Sequence, residues 1–130
     1  MITEPRSLPA TASAQEAGQV LTPPEVRAIF VVDATGALTG VVTRKTLVAR
    51  VVAPGLDPRT TELGSIAEPP TYTIDADVAL DEAFHFLEQH DAERVPVVEH
   101  GRLVGVLSRS VLLRRLAEDE PDEPELPPAA

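Results

Sequence analysis

Two stretches of this chain set a hydroxyl and a guanidinium side by side at the end of a short apolar run. They are Gly40-Val41-Val42-Thr43-Arg44 and Gly105-Val106-Leu107-Ser108-Arg109. A hydroxyl beside the first free amides of a helix suits an anion, and an adjacent arginine adds charge-assisted hydrogen bonds to phosphate. A glycine three residues earlier lets backbone come close to a ligand. Thr43 and Ser108 would serve as helix N-caps with or without a ligand, and Arg44 and Arg109 are either anion contacts or solvated surface residues. Other chemistry is poorly represented. His85 and His90 are five apart, off the i, i+4 spacing of one helix face, and His100 falls in a turn, so all three read as surface histidines rather than metal ligands. No base is paired with a nucleophile, and no enzyme activity is expected.

These two stretches end two copies of one longer pattern. Ile29-Phe30-Val31-Val32-Asp33, a turn with Gly36, and Leu38 to Leu47 reappear as Val95-Pro96-Val97-Val98-Glu99, a turn with Gly101, and Leu103 to Leu112. Upstream, Ile2-Thr3-Glu4-Pro5 echoes Ile66-Ala67-Glu68-Pro69, and Glu16-Ala17 echoes Glu82-Ala83. A repeat of this kind implies two similar units folded against each other, with any site framed twice. In the second copy, Thr71–Ile74 reads as a strand. Asp77 is the expected N-cap of a helix carrying Leu80, Ala83, Phe84 and Leu87 on one face. Residues 94–98 and 103–107 form a hairpin, and Ser108 caps a last helix with Val111, Leu112 and Leu116 buried. In the first copy, Ser13-Ala14-Gln15-Glu16 is a capping box. Gly18 and Pro23-Pro24 keep its helix short, and a helix from Thr43 to about Val52 follows the hairpin 28–42. The expected units are 1–52 and 66–117, joined by a linker over 53–65.

The chain has 130 residues and no cysteine, which leaves out disulfides and thiolate metal sites. With 3% aromatic residues its core is aliphatic. The net charge of −10 is unevenly spread. Six of the 21 acidic residues lie in 118–130, which has no basic residue, so positions 1–117 carry 15 acids against 11 bases, about −4. That is ordinary for a folded domain and lacks the basic footprint of a nucleic-acid binder. The proline-rich acidic segment 118–130 is expected to be disordered. No apolar run is long enough to insert in a membrane, and no secretory signal opens the chain, so a cytoplasmic location is expected.

A β-α-β-β-α unit present twice, each ending in Gly-hydrophobic-hydrophobic-Thr/Ser, resembles the CBS domain, and the tandem pair resembles a Bateman module. The resemblance covers residues 2–117. It implies an α+β fold of two CBS units packed with pseudo-twofold symmetry, and two clefts that take adenosine-containing ligands: AMP, ADP, ATP or S-adenosylmethionine. It places Gly40, Thr43, Arg44 and Thr46 in one cleft and Gly105, Ser108 and Arg109 in the other, adds Pro70, Thr71, Val95 and Pro96 to the ligand-binding residues, and sets Tyr72 at the adenine pocket, to stack on a base or simply to cover the sheet edge. The family's ribose-binding aspartate falls on Thr46 and Val111, which weakens the first cleft and leaves the second doubtful. No cofactor is required. A homodimer and a regulated protein partner are expected of such a module, and a ligand-free docking scaffold is the alternative. Phe86, Leu112, Leu113 and Leu116 either pack within the core of the pair or contribute to a partner surface.

Overall fold

The alternation and capping signals above place most elements where a computed structural model has them. The structure describes residues 6–119; the expectations for residues 1–5 and for the tail beyond 119 lie outside the described residues. In the first half, β1 (Ser7–Pro9), α1 (Ala14–Val20), β2 (Ile29–Val32) and β3 (Leu38–Val42) lead into α2 (Arg44–Leu47), which runs on as a π-helical turn, Val48–Val52. A short α3 (Leu63–Ile66) opens the second half, followed by β4 (Ile74–Asp75), α4 (Leu80–Gln89), β5 (Arg94–Glu99), β6 (Arg102–Ser108) and α5 (Arg109–Asp119). The sheets have the same order, β1-β2-β3 and β4-β5-β6. In each, the first pairing is parallel across a helical crossover and the second is an antiparallel hairpin.

Each half has its own aliphatic core. Ala17, Leu21, Ile29, Val31 and Val42 form the first, and Ala83, Leu87, Val95, Val97 and Leu112 the second. The pseudo-twofold relation shows in a reciprocal pair of bonds between the hairpin tips. The Leu38 amide donates to the Gly101 carbonyl at 3.2 Å, and the equivalent Leu103 amide donates to the Gly36 carbonyl at 3.1 Å.

Three expectations are corrected. The strand expected at Thr71–Ile74 forms only at Ile74–Asp75. Ile74 lies opposite Val97, so Thr73 faces Pro96, which has no amide to donate, and pairing starts only past it. Asp77 does not cap α4: the Val78 amide bonds the Asp75 carbonyl in a turn, and the helix starts after Ala79 with no side-chain cap. The helix expected from Thr43 to Val52 changes hydrogen-bond spacing at Val48, where the Ala53 amide reaches back five residues to the Val48 carbonyl. The capping box at Ser13 forms as read, with the Glu16 amide 3.1 Å from Ser13 Oγ.

The end of the expected linker and the start of the expected second unit lie in the first half's core. Leu63 and Ile66 are buried there. Amides of Ala14 and Gln15 bond carbonyls of Thr61 and Pro58, and amides of Leu63 and Gly64 bond carbonyls of Ala12 and Ala10. Beyond α3, Glu68 pairs with Val41 through two backbone hydrogen bonds of 2.8 and 2.9 Å, extending the first sheet past β3. The chain therefore secures the opening of its second copy to the first before it builds the second.

Candidate functional site

Side chains alternate across a strand, so each half's core face implies a second face. With Ile29 and Val31 in the core, Ala28 and Phe30 face away; with Val42 inward, Val41 and Thr43 face away. In the second half Arg94 and Pro96 alternate with Val95 and Val97, and Val106 and Ser108 alternate with Leu107. These outward faces line one cleft between the two sheets, of about 930 Å³, within the range of small-ligand sites. Phe30 and Val106 are buried yet belong to neither core.

The resemblance implies two clefts; among the described residues a single cleft carries both Thr43 with Thr46 and Ser108 with Val111. Pro70, Thr71, Tyr72 and Pro96 line it. Val95 does not: it is fully buried in the second core, on the opposite face of β5 from Pro96. Val111, expected in the core, is half-buried on the cleft wall instead. Gly40 and Gly105 also lie on core-facing registers, opposite Val31 and Val97. At Gly40 an added Cβ would sit 2.7 Å from Ala67 Cβ and 3.2 Å from the Glu68 carbonyl oxygen, so the close approach this glycine permits is to the chain itself.

Neither expected arginine reaches the cleft. Arg44 turns its guanidinium to the carbonyls of Leu21 and Pro23, the latter at 2.8 Å, tying the loop after α1 to the start of α2. Arg109 lies 3.7 Å from Asp91 and 3.8 Å from Glu93. Glu93 also accepts from the Ser110 amide and hydroxyl at 3.4 and 3.2 Å, so a carboxylate of the protein already sits at the start of α5. Both hydroxyls act as caps: the Thr46 amide donates to Thr43 Oγ1 at 3.3 Å and the Val111 amide to Ser108 Oγ at 3.2 Å. Thr46, 2% exposed, completes a capping box by accepting from the Thr43 amide at 3.0 Å. Its hydroxyl is also 3.4 Å from Glu68 Oε1.

The cations that do line the cleft are Arg6, Arg27 and Arg94, which the sequence reading passed over. No ion pair or side-chain hydrogen bond engages them among the described residues. Strand alternation gave the signal for Arg94, which shares its face with Pro96. For Arg6 the signal lies in the repeat. Leu8 pairs with Val31 and Ile74 with Val97, so Arg6 and Tyr72 hold equivalent positions two residues upstream. One copy presents a guanidinium where the other presents an aromatic ring. That ring is held edge-on by Phe86 at 5.5 Å between centroids, with His90 at 4.4 Å. Phe86, a candidate for a partner surface, is thus used in supporting Tyr72.

Three acids, Glu25, Glu68 and Glu93, share the lining. Arg109 accompanies Glu93, leaving Glu25 and Glu68 without an ion pair among the described residues. The arrangement suits a ligand with an anionic part, a flat apolar part and hydrogen-bond donors. Among the described residues no three His, Asp or Glu side chains gather as a metal would require.

Comparison with known proteins identifies the family and the fold. The CBS domain pattern matches residues 1–53 and again 63–118. Hypoxic response protein 1 of Mycobacterium tuberculosis is 36% identical over 81 residues, a match spanning 62% of this chain and 57% of that protein. The crystal structure of Hypoxic Response Protein I with two coordinated zinc ions superposes at TM-score 0.70 with 28% identity, over 85% of this chain and 89% of that one. The cytosolic domain of the Mg2+ channel MgtE, solved in complex with ATP, superposes at TM-score 0.67 with 25% identity, over 86% of this chain and 45% of that one. The chain belongs to the CBS-domain family and is a tandem pair of such domains.

Proposed function

We propose that this chain is a regulatory, non-catalytic sensor that holds an adenosine-containing nucleotide in the cleft between its halves. The observation that carries the reading is the set of guanidiniums of Arg6, Arg27 and Arg94, engaged by no ion pair among the described residues, in a cleft that also holds Tyr72. Phosphate is matched by the arginines, and the adenine by the Tyr72 ring. The ATP complex of the MgtE domain supports the ligand class. A cytoplasmic location goes with this ligand. Because both halves supply walls, a ligand that fits one relative placement of the halves better than another shifts the population toward it. That shift is the signal a partner would read.

Titration calorimetry with AMP, ADP, ATP and S-adenosylmethionine tests this. At least one is expected to bind, and an Arg27→Ala/Arg94→Ala variant is expected to bind it about tenfold or more weakly, the loss of one or two charge-assisted bonds. Heats indistinguishable from dilution for all four at millimolar concentration would sink the proposal.

A second reading, docking or homodimerisation, is favoured by one observation. Val48, Val52 and Leu56 on and after the π-helical turn are 60%, 69% and 46% exposed, an apolar patch that a second chain could cover. Light scattering distinguishes it: a monomer at all concentrations removes the homodimer.

A further inference from the structure

Glu68 is placed more firmly than an exposed acid usually is. Its amide and carbonyl are both bonded to Val41, so its backbone is an added rung on the first sheet. Its carboxylate lines the cleft, with Oε1 3.4 Å from the hydroxyl of Thr46, a residue itself 2% exposed and fixed by its capping box. No cation pairs with Glu68 among the described residues. An uncompensated carboxylate opposes the phosphate that Arg6, Arg27 and Arg94 would attract, unless the ligand brings donors to it. On a nucleotide the donors lying between phosphate and base are the ribose hydroxyls, and an acidic side chain accepting from them is a recurrent solution in nucleotide sites.

We propose that Glu68, fixed to β3 beside Thr46, accepts hydrogen bonds from the ribose diol and makes the cleft select ribonucleotides over deoxyribonucleotides. This rests on the nucleotide reading above. Thr46 carries no charge and its hydroxyl is already engaged, accepting from the Thr43 amide and lying 3.1 Å from Thr43 Oγ1 and 3.4 Å from Glu68 Oε1. Val111, at the equivalent position of the second copy, has no polar atom to offer.

The test is calorimetry of AMP and 2′-deoxy-AMP with the wild-type chain and with Glu68→Gln. The wild type is expected to prefer AMP about tenfold, the value of one lost hydrogen bond to a charged group. In Glu68→Gln the preference should collapse through weaker AMP binding. Binding of 2′-deoxy-AMP, which keeps only the 3′-hydroxyl as a donor to Glu68, should weaken less than that of AMP, and removing the negative charge favours its phosphate electrostatically. The variant keeps the backbone bonds to Val41, and an unchanged melting temperature verifies its fold. Equal wild-type affinity for the two ligands, or a preference that survives in Glu68→Gln, overturns the role of Glu68 while leaving the nucleotide reading intact. A folded wild type that binds neither ligand, nor ADP, ATP or S-adenosylmethionine, overturns both.

Discussion

Replacing Gly40 by alanine puts one methyl group where the structure has no room, and the cost can be worked from the geometry. The new Cβ would lie 2.7 Å from Ala67 Cβ and 3.2 Å from the Glu68 carbonyl oxygen, against the 3.5–4.0 Å at which carbon atoms attract. Neither neighbour is a flexible side-chain end, so relief requires β3 and residues 67–68 to part. That strains the two hydrogen bonds joining Val41 to Glu68, each worth about 1 kcal/mol net. The expected loss is about 2 kcal/mol, inside the usual range for overpacking. At about 4 °C per kcal/mol for a chain of this size, the melting temperature falls by about 8 °C. Gly18→Ala is the matched control. Gly18 lies inside α1, and its added Cβ would meet only Leu47 Cδ1 at 3.9 Å, an ordinary contact. Helix propensity then raises stability by up to about 1 kcal/mol. Differential scanning calorimetry of the two variants reads the contrast. A Gly40→Ala protein as stable as wild type would refute the reasoning, since it would mean that the Ala67–Glu68 segment is not held against β3.

Two further predictions concern Arg44, whose role the structure reassigns, and Asp33. Arg44→Ala removes the bonds to the Leu21 and Pro23 carbonyls and should cost about 1 kcal/mol, discounted for the exposure of the side chain. Nucleotide affinity should change less than threefold, and chemical denaturation alongside calorimetry separates the two. Asp33 in the first hairpin turn has its pKa lowered below 3.8, first by the Thr35 hydroxyl and then by the amides of Thr35, Ala37 and Gly36. A lowered folded pKa contributes stability that is present above the unfolded value near 3.8 and is lost as pH falls through the folded one. NMR titration should therefore show Asp33 still ionised below pH 3.8, with the Thr35 and Ala37 amides that donate to its carboxylate shifting as it protonates; a titration midpoint at or above 3.8 would contradict this.

The duplicated hairpins and helices were legible because their signals are periodic. Ile29 and Val31, like Val95 and Val97, mark a core face wherever the strands sit. The site was legible only where it follows the same periodicity. Thr43, Ser108 and Pro96 face the cleft by alternation, and the same rule excludes Val95. Arg44 and Arg109 adjoin the right residues in sequence, but a long side chain goes to the nearest strong partner, here carbonyls at Leu21 and Pro23 and acids at Asp91 and Glu93. Arg6 was hidden by a shift between copies. Two extra residues precede β4, so its match to Tyr72 emerges only from the strand register.

The binding of residues 58–68 to the first half makes the two copies unequal as pieces of chain. Cut at the linker near Pro54, the amino-terminal fragment would end without Leu63 and Ile66 and would leave a slot along residues 10–15 and β3 open. The carboxy-terminal fragment would carry the matching segment as a loose arm. Such fragments should reassociate, as split proteins do when one piece holds a plug for the other. A chain with only the first copy would have to borrow that plug from a neighbour. The boundary between the repeats in sequence is therefore not a boundary at which the molecule comes apart.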